Sequence, residues 1–233
     1  MSKNIKILAV SDEELIEGHE AVIGDEIDDE IDLLVNCGDL SPSYLEYLIN
    51  RFFPKQSLMV YGNHDSVFFN GNDEPSSGYN LTYQGVYVLE EDTTSVLSQY
   101  ENPISIAGFS GAMAYGERPF FFDENDAKKF VKKMKRKNFF NNFNIDIMMS
   151  HTPPQIDNKI ESVDFFHSPS DELGKLLDFF SPKIWFYGHI HPRYTNSQLD
   201  FEIDGMHLIN CVPYKIIEYD MDNQELVNIS YRT

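Results

Sequence analysis

The sequence predicts an α/β protein with two β-sheets and helices on the outside. Three observations support this class: short apolar runs alternate with amphipathic stretches, an early segment has a strand–helix–strand pattern, and shorter strands follow. At 233 residues, of which 42% are hydrophobic, the chain is long enough to bury a large core. We expect one domain spanning residues 1–233.

The first part of the chain predicts parallel strands joined by a helix. Lys6–Val10, Leu33–Cys37 and Ser57–Tyr61 are apolar runs that each end at a polar turn, which is typical of buried strands. Between the last two, Ser43–Phe52 has apolar residues at helical spacing. A strand–helix–strand unit of this kind indicates that its strands are parallel.

The middle and the end of the chain predict a different arrangement. Val86–Leu89, Val96–Ser98 and Ile104–Ala107 are short strand candidates separated by turns, as in a meander. Ile145–Ser150 and Ile184–Tyr187 return to the buried-strand pattern. The remaining expectations are a helix over Asp171–Phe180 and antiparallel strands over His207–Asn210, Lys215–Asp220 and Leu226–Tyr231.

Composition excludes several classes of protein. The net charge of −20 would repel a phosphate backbone, so nucleic acid is expected only as a substrate. No run is apolar enough to span a bilayer, and the N-terminal residues lack the pattern of a signal peptide. Cys37 and Cys211 are too few for a disulfide framework. We therefore expect a cytoplasmic protein with no membrane partner, and the sequence leaves its oligomeric state open.

Five short polar motifs follow predicted strands, where open α/β sheets place their sites. In chain order they are SDEE at 11–14, GD at 38–39, GNHD at 62–65, SHT at 150–152 and GHIH at 188–191. Residues i and i+2 of an extended chain point the same way, so we expect Asp12 with Glu14, and His189 with His191, to direct paired ligands to one side. Mixed carboxylate, amide and imidazole ligands suit manganese, iron, zinc or magnesium.

Each motif taken alone has a structural explanation. Asp12 or Asp39 could cap a turn, GNHD could form a tight turn, and His151 could be a buried histidine with a hydrogen-bonding partner. If the motifs had no common function, every one of these separate explanations would have to be true at once. Their joint occurrence in this order therefore favours a metal site.

The ordered set resembles the calcineurin-like metallophosphoesterase family, whose pattern is D-x-H, GD, GNH[DE], a histidine after a strand, and GHxH. The match spans residues 12 to 191. The resemblance implies an αββα sandwich of two packed mixed β-sheets flanked by helices. It also implies hydrolysis of phosphate mono- or diesters by two divalent metal ions and a bridging hydroxide. Manganese is the expected metal, with iron, zinc or magnesium as alternatives.

The resemblance assigns metal ligands by position. Asp39 resembles the carboxylate that bridges the two metals, and Asp12 and His191 resemble ligands of the first. The residues that resemble ligands of the second metal are Asn63, His151 and His189. His64 resembles the histidine that contacts the phosphate and protonates the leaving oxygen, and Asp65 resembles the residue that orients it.

One position departs from the family pattern. The histidine of D-x-H is here Glu14, which we expect to be an oxygen ligand of the first metal. The alternatives are weak binding of that metal or substitution by His19 from the following loop.

Two further features have weaker signals. The basic segment 128–137 has apolar residues at helical spacing, which predicts an amphipathic helix with a solvated basic face or a patch for an anionic partner. Tyr115 and Arg118 follow a strand and a glycine turn and are candidate substrate-binding residues, because arginine suits phosphate contacts.

The competing function is a binding or scaffold protein of the same fold with little catalytic activity.

Overall fold

The computed structural model describes most of the chain. The described residues are 4–17, 20–21, 23, 27, 30–70, 74–75, 85–100, 102–113, 118–141, 143–157, 159–162, 164 and 166–230. The strands of its two large sheets are β1 (Asn4–Val10), β2 (Leu33–Asn36), β3 (Gln56–Met59), β4 (Val86–Val88), β5 (Asp92–Val96), β6 (Ile104–Phe109), β7 (Ile147–Ser150), β8 (Ile184–Tyr187), β9 (Phe201–Ile203), β10 (Met206–Asn210), β11 (Tyr214–Asp220) and β12 (Glu225–Ser230).

The other elements are three helices and several short pieces within the described residues. The helices are α1 (Pro42–Phe52), α2 (Glu124–Asn141) and α3 (Asp171–Phe180). Short strand pairs join Ile16–Glu17 to Glu20–Ala21, Phe69–Asn70 to Glu74–Pro75, and Ala112–Met113 to Phe121–Phe122. Single 3₁₀ turns cover Asp65–Phe68 and Pro192–Tyr194.

Both large sheets are mixed and have six strands. The order in the first is β12-β11-β1-β2-β3-β4, and the order in the second is β9-β10-β8-β7-β6-β5. In the first sheet β1 to β4 are parallel, and β11 is antiparallel to β1 and β12. In the second sheet β6, β7, β8 and β10 are parallel, with antiparallel β5 and β9 at the edges.

The sheets pack face to face, and the helices cover their outer faces. Ile7 and Val35 of the first sheet belong to the same buried cluster as Ile147 and Phe186 of the second. A second cluster joins the outer face of the first sheet to α1, and a third joins the outer face of the other sheet to α2 and α3. The layers are therefore helix, sheet, sheet, helix, which confirms the predicted fold class.

The first helix begins and ends for local reasons. The Ser41 side chain accepts a hydrogen bond from the Tyr44 N–H at 3.3 Å, which satisfies a free donor of the first turn. Pro42 lies in that turn, where its missing N–H costs no helical hydrogen bond. The helix ends at Phe53, which has left-handed backbone (φ 45°). These signals hold α1 in place between β2 and β3.

Two sequence predictions about strand arrangement were wrong. The expected meander is split, because β4 is parallel to β3 in the first sheet whereas β5 and β6 form an antiparallel pair in the second. The chain turns at Glu91 (φ 54°), and the strand of the pair is Asp92–Val96 rather than Val96–Ser98. The segment expected at His207–Asn210 is parallel to β8 and lies in a different sheet from the other C-terminal strands.

The basic segment lies on α2 as predicted, and several of its cations have partners inside the fold. Lys133 donates to the Glu91 carbonyl at 2.6 Å, and Lys129 pairs with Asp126 at 2.8 Å. The buried face consists of Ala127, Phe130, Val131 and Met134. The Lys129 side chain is nevertheless 75% exposed, which supports the interpretation of a solvated basic face. None of the helices in the described residues is long and apolar enough to cross a membrane.

Candidate metal centre

The predicted site residues lie at strand ends on both sheets. Asp12, Asp39 and Asn63 follow strands β1, β2 and β3 of the first sheet. His151 follows β7, and His189 follows β8 of the second sheet. Because parallel strands end at the same edge and the two sheets are packed together, these turns meet at one rim of the sandwich.

The centre of this rim is His151, whose side chain is fully buried. Its Nδ1 lies 2.8 Å from the Cys37 carbonyl and donates to it. Its Nε2 lies 3.1 Å from Asn63 Oδ1 and 3.4 Å from Asp39 Oδ2. The second nitrogen therefore faces two oxygen atoms that are also good metal ligands.

The two histidines of the GHIH motif are held in a similar way. His189 Nε2 donates to the Phe166 carbonyl at 2.7 Å, and His191 Nδ1 lies 2.7 Å from Glu13 Oε1. The other nitrogen of His191, Nε2, is 3.6 Å from Asp12 Oδ1. An oxygen acceptor on one ring nitrogen fixes the tautomer and leaves the other nitrogen free to bind a metal.

One group of side chains is close enough to hold an ion together. Ligand atoms of Asp12, His151 and His189 all lie within 4.8 Å of one another. Asp12 is nearly buried, with 3% of its side chain exposed, and its Oδ2 accepts the His189 N–H at 2.8 Å. Buried charges in proteins are normally paired or bind metals, so this group is a candidate metal site.

The charges at the rim favour a cation. Burial opposes a charged imidazole, yet Asp39 and Asp12 outweigh it and raise the pKa of His151 to about 10. Burial likewise opposes a charged Asp39, but His151 and its hydrogen bonds lower the pKa of that carboxyl to about 2. Burial and the His151 charge lower the pKa of His189 to about 3, which keeps it neutral. A divalent ion would take the place of the His151 proton and meet the same oxygens.

Two glycines permit the close approach of these turns. A Cβ on Gly62 would lie 2.1 Å from Asp39 Oδ1, and one on Gly188 would lie 2.5 Å from Asp12 Oδ2. Side chains there would displace the two carboxylates from their positions. The carboxylates, the amide and the fixed imidazoles therefore fit a divalent metal centre in both chemistry and shape.

His64 and Asp65 have different surroundings. The His64 N–H donates to Asp39 Oδ1 at 2.7 Å, while its side chain is exposed and has no hydrogen bond to another described residue. Asp65 is buried, and its Oδ2 accepts the N–H groups of Gly62 at 2.7 Å and Asp39 at 3.0 Å. Burial and the neighbouring Asp39 raise the pKa of Asp65 to about 7. Asp65 thus fixes the backbone of the GNHD and GD motifs. The sequence analysis expected it to orient the His64 ring, and neither of its two backbone hydrogen bonds involves that ring.

The comparison with protein families agrees with this geometry. The model of the calcineurin-like phosphoesterase family matches residues 5–193, which include every strand-end motif at the rim. The chain belongs to the calcineurin-like phosphoesterase family. Among curated proteins, none matches the sequence.

Solved structures show the same fold at low sequence identity. The protein TT1561 of Thermus thermophilus is 14% identical, with a TM-score of 0.59 over 98% of this chain and 99% of that one. The phosphopantetheinyl hydrolase PptH of Mycobacterium tuberculosis is also 14% identical, with a TM-score of 0.52 over 89% of each chain. These likenesses support the sandwich architecture of the calcineurin-like phosphoesterase family.

The acidic run after β1 is arranged differently from the sequence prediction. Glu14 Oε1 accepts the Ser41 N–H at 2.7 Å, so this carboxylate stabilises the start of α1. Glu13 is the residue that reaches His191. The reason is the left-handed backbone of Asp12 (φ 61°), which breaks the extended geometry on which the i, i+2 argument depends. Sequence spacing gave no signal for Glu13, and His19 lies outside the described residues.

Neither of the two candidate substrate-binding residues has a described contact with the candidate metal centre. Arg118 pairs with Glu91, donates to the Ser110 carbonyl at 2.8 Å and lies over the Phe109 ring. These contacts hold the arginine against the second sheet, so the structure does not support its predicted role in binding phosphate. Tyr115 lies outside the described residues.

The contrast between the two glutamates gives a testable prediction. We expect Glu13→Ala to weaken Mn²⁺ binding about 10- to 100-fold, because a carboxylate that orients a ligating histidine has effects of that size. Glu14→Ala, which removes the same charge, should change the affinity much less. Calorimetric titration of metal-stripped protein measures both. A larger effect at Glu14 would contradict the geometry and restore the prediction that Glu14 is a ligand.

Proposed function

We propose that this protein hydrolyses phosphate mono- or diesters with two divalent cations bound at the rim. The observation that carries the proposal is the arrangement of His151, His189 and His191. Each has one ring nitrogen occupied by an oxygen acceptor, and carboxylates or an amide surround the group. A single histidine held in this way has a structural explanation, but three that meet beside carboxylates and an amide are the arrangement expected of metal ligands.

The family resemblance assigns the residues to two ions, and the group of Asp12, His151 and His189 contains ligands of both. Asp12 and His191, whose atoms approach to 3.6 Å, would hold the first ion. Asp39 Oδ2 lies 3.4 Å from His151 Nε2, and burial together with the Asp39 charge raises the pKa of Asp12, so this carboxylate is near ligands of both ions. The ligands proposed for the second ion are Asn63, His151 and His189. Ligation by Glu14 stays a prediction without a supporting contact.

The chain also provides a group for the leaving oxygen. Bound cations would supply positive charge that draws electron density from the phosphate oxygens and lowers the pKa of a coordinated water. The His64 side chain is exposed beside Asp39, where a bound phosphate ester could reach it. In its protonated form it donates a ring N–H proton to the ester oxygen as that oxygen departs. No side-chain nucleophile is required.

Manganese remains the expected metal, with iron, zinc or magnesium as alternatives. Oxygen atoms of Asp12, Asp39 and Asn63 suit the harder ions, whereas three imidazoles suit iron and zinc as well. The same set of ligands therefore suits several divalent metals. The expected location in the cytoplasm likewise stays a prediction.

The test is hydrolysis of p-nitrophenyl phosphate and bis(p-nitrophenyl) phosphate by metal-stripped protein reloaded with Mn²⁺, Fe²⁺, Zn²⁺ or Mg²⁺. We expect turnover of at least one ester that depends on metal, and elemental analysis should show about two ions per chain. The metal-stripped protein is the control. Protein that binds metal but hydrolyses neither these esters nor a wider panel would instead favour the binding or scaffold function.

A further inference from the structure

A cavity of about 390 Å³ lies beside the proposed metal centre. Its apolar wall includes Pro192, Leu199, Val212 and Pro213. Leu199 and Val212 are buried residues, so the cavity extends below the general surface. Its volume is within the range of about 300–1,000 Å³ that is usual for small-molecule sites.

Three connections place this cavity next to the metal ligands. Pro192 directly follows His191 in the chain. The Pro213 carbonyl accepts a 3.4 Å hydrogen bond from the N–H of Ser11, the residue before Asp12. The third connection is Asn210, which lines the cavity and donates through Nδ2 at 2.9 Å to Ile190, between the two histidines of the GHIH motif. The cavity therefore adjoins the turns that carry Asp12, His189 and His191, and none of these three residues lines it.

The charges in the cavity wall compensate each other. Lys215 is nearly buried, with 9% of its side chain exposed, and its Nζ lies 2.9 Å from Asp200 Oδ2. Asp200 Oδ1 accepts the Asn210 N–H at 2.8 Å. The other lining residues with polar groups in their side chains are Thr195, Asn196, Ser197 and Tyr214, all of which are uncharged. A charged ligand would meet no unbalanced charge here, whereas an uncharged ring would bury apolar surface.

A neighbouring cavity provides a contrast. It has a volume of about 340 Å³ and shares Thr195 and Asn196, but Glu161 and Arg193 also line it. Its wall is polar and exposed rather than apolar. The two cavities are therefore chemically distinct, and the apolar one suits the organic part of an ester.

We propose that the apolar cavity binds the organic group of the phosphate ester and selects esters that carry an uncharged, ring-sized group. This inference rests on the proposed function, because it assumes that the phosphate binds at the adjacent metal centre. It goes further by naming the substrate class: esters of aromatic or similar cyclic alcohols, in preference to small alkyl esters or esters with additional charge.

Binding of phosphonates tests the cavity without turnover. For Mn²⁺-loaded protein we expect phenylphosphonate to bind about 10- to 100-fold more tightly than methylphosphonate, as burial of a ring implies. Asn196→Trp places a large side chain at the exposed edge of the cavity and should remove most of the preference for phenylphosphonate. Gln198→Trp is the matched control, because Gln198 is exposed on the same segment and does not line the cavity.

The possible outcomes separate the two proposals. The cavity proposal would be overturned if the wild type bound the two phosphonates with equal affinity. It would also be overturned if Asn196→Trp and Gln198→Trp both left the preference intact. Either conclusion would stand whether or not the protein is an enzyme. Selective binding of phenylphosphonate without hydrolysis of any ester would support the cavity and overturn the phosphoesterase function. Circular dichroism confirms that each variant is folded.

Discussion

Asp39→Asn should remove most of the phosphoesterase activity, with a loss of about 10³-fold or more. Asp39 Oδ1 accepts the His64 N–H at 2.7 Å, and its Oδ2 lies 3.4 Å from His151 Nε2. A neutral amide removes a negative charge from this position and cannot offer two equivalent oxygens. Loss of several kcal/mol of charge stabilisation corresponds to a rate effect of this size.

The measurements are initial rates with saturating metal and the metal content of the purified variant. Asp178→Asn, on the exposed surface of α3, is the matched control and should behave as the wild type. Near-normal turnover with full metal content in Asp39→Asn would remove Asp39 from the centre of the mechanism.

His64→Ala should separate chemistry from metal binding. The His64 side chain is exposed and contacts no proposed ligand through a described hydrogen bond, so bound metal should be retained. Turnover should fall by roughly 10²–10⁴, the usual effect of losing a general acid. The loss should be smaller for p-nitrophenyl phosphate than for phenyl phosphate, because a good leaving group needs less protonation.

Rates for a series of phenyl phosphates of different leaving-group pKa provide the measurement. His207→Ala is the control, since His207 lies near the start of β10, at the opposite end of that strand from the motif turns. An equal loss for every leaving group would show that His64 holds the phosphate and does not protonate the departing oxygen.

Much of the fold could be predicted because local patterns agree with it. Lys6–Val10 and Ile184–Tyr187 are apolar runs bounded by polar turns, and both are buried strands. Periodicity also located α3 over Asp171–Phe180. The assignment of strands to sheets could not be predicted in the same way. The tail strands β10 and β11 are close in the chain but belong to different sheets, and only tertiary packing decides between those sheets.

The candidate site was predictable at the level of motifs and less so at the level of single contacts. Strand-end position brings Asp12, Asp39 and His151 together, as the order of motifs implied. The roles of Glu13 and Glu14 depend on one left-handed residue, Asp12, which no periodicity reveals. The contacts of Arg118 could not be predicted for a related reason: its ion pair with Glu91 depends on a turn between sheets.

The candidate ligands lie on two different sheets, and this has a consequence for the size of the ion that the site accepts. Hydrogen bonds between the halves, such as His151 to Cys37 at 2.8 Å and His189 to Asp12 at 2.8 Å, lie above a layer of packed side chains that includes Ile147. Dense interiors transmit small changes in volume. We therefore expect the thickness of that layer to influence the distance between the candidate ligands on the two sheets. Conservative substitutions deep in the interior could adapt the protein to a larger or smaller ion while every ligand stays the same.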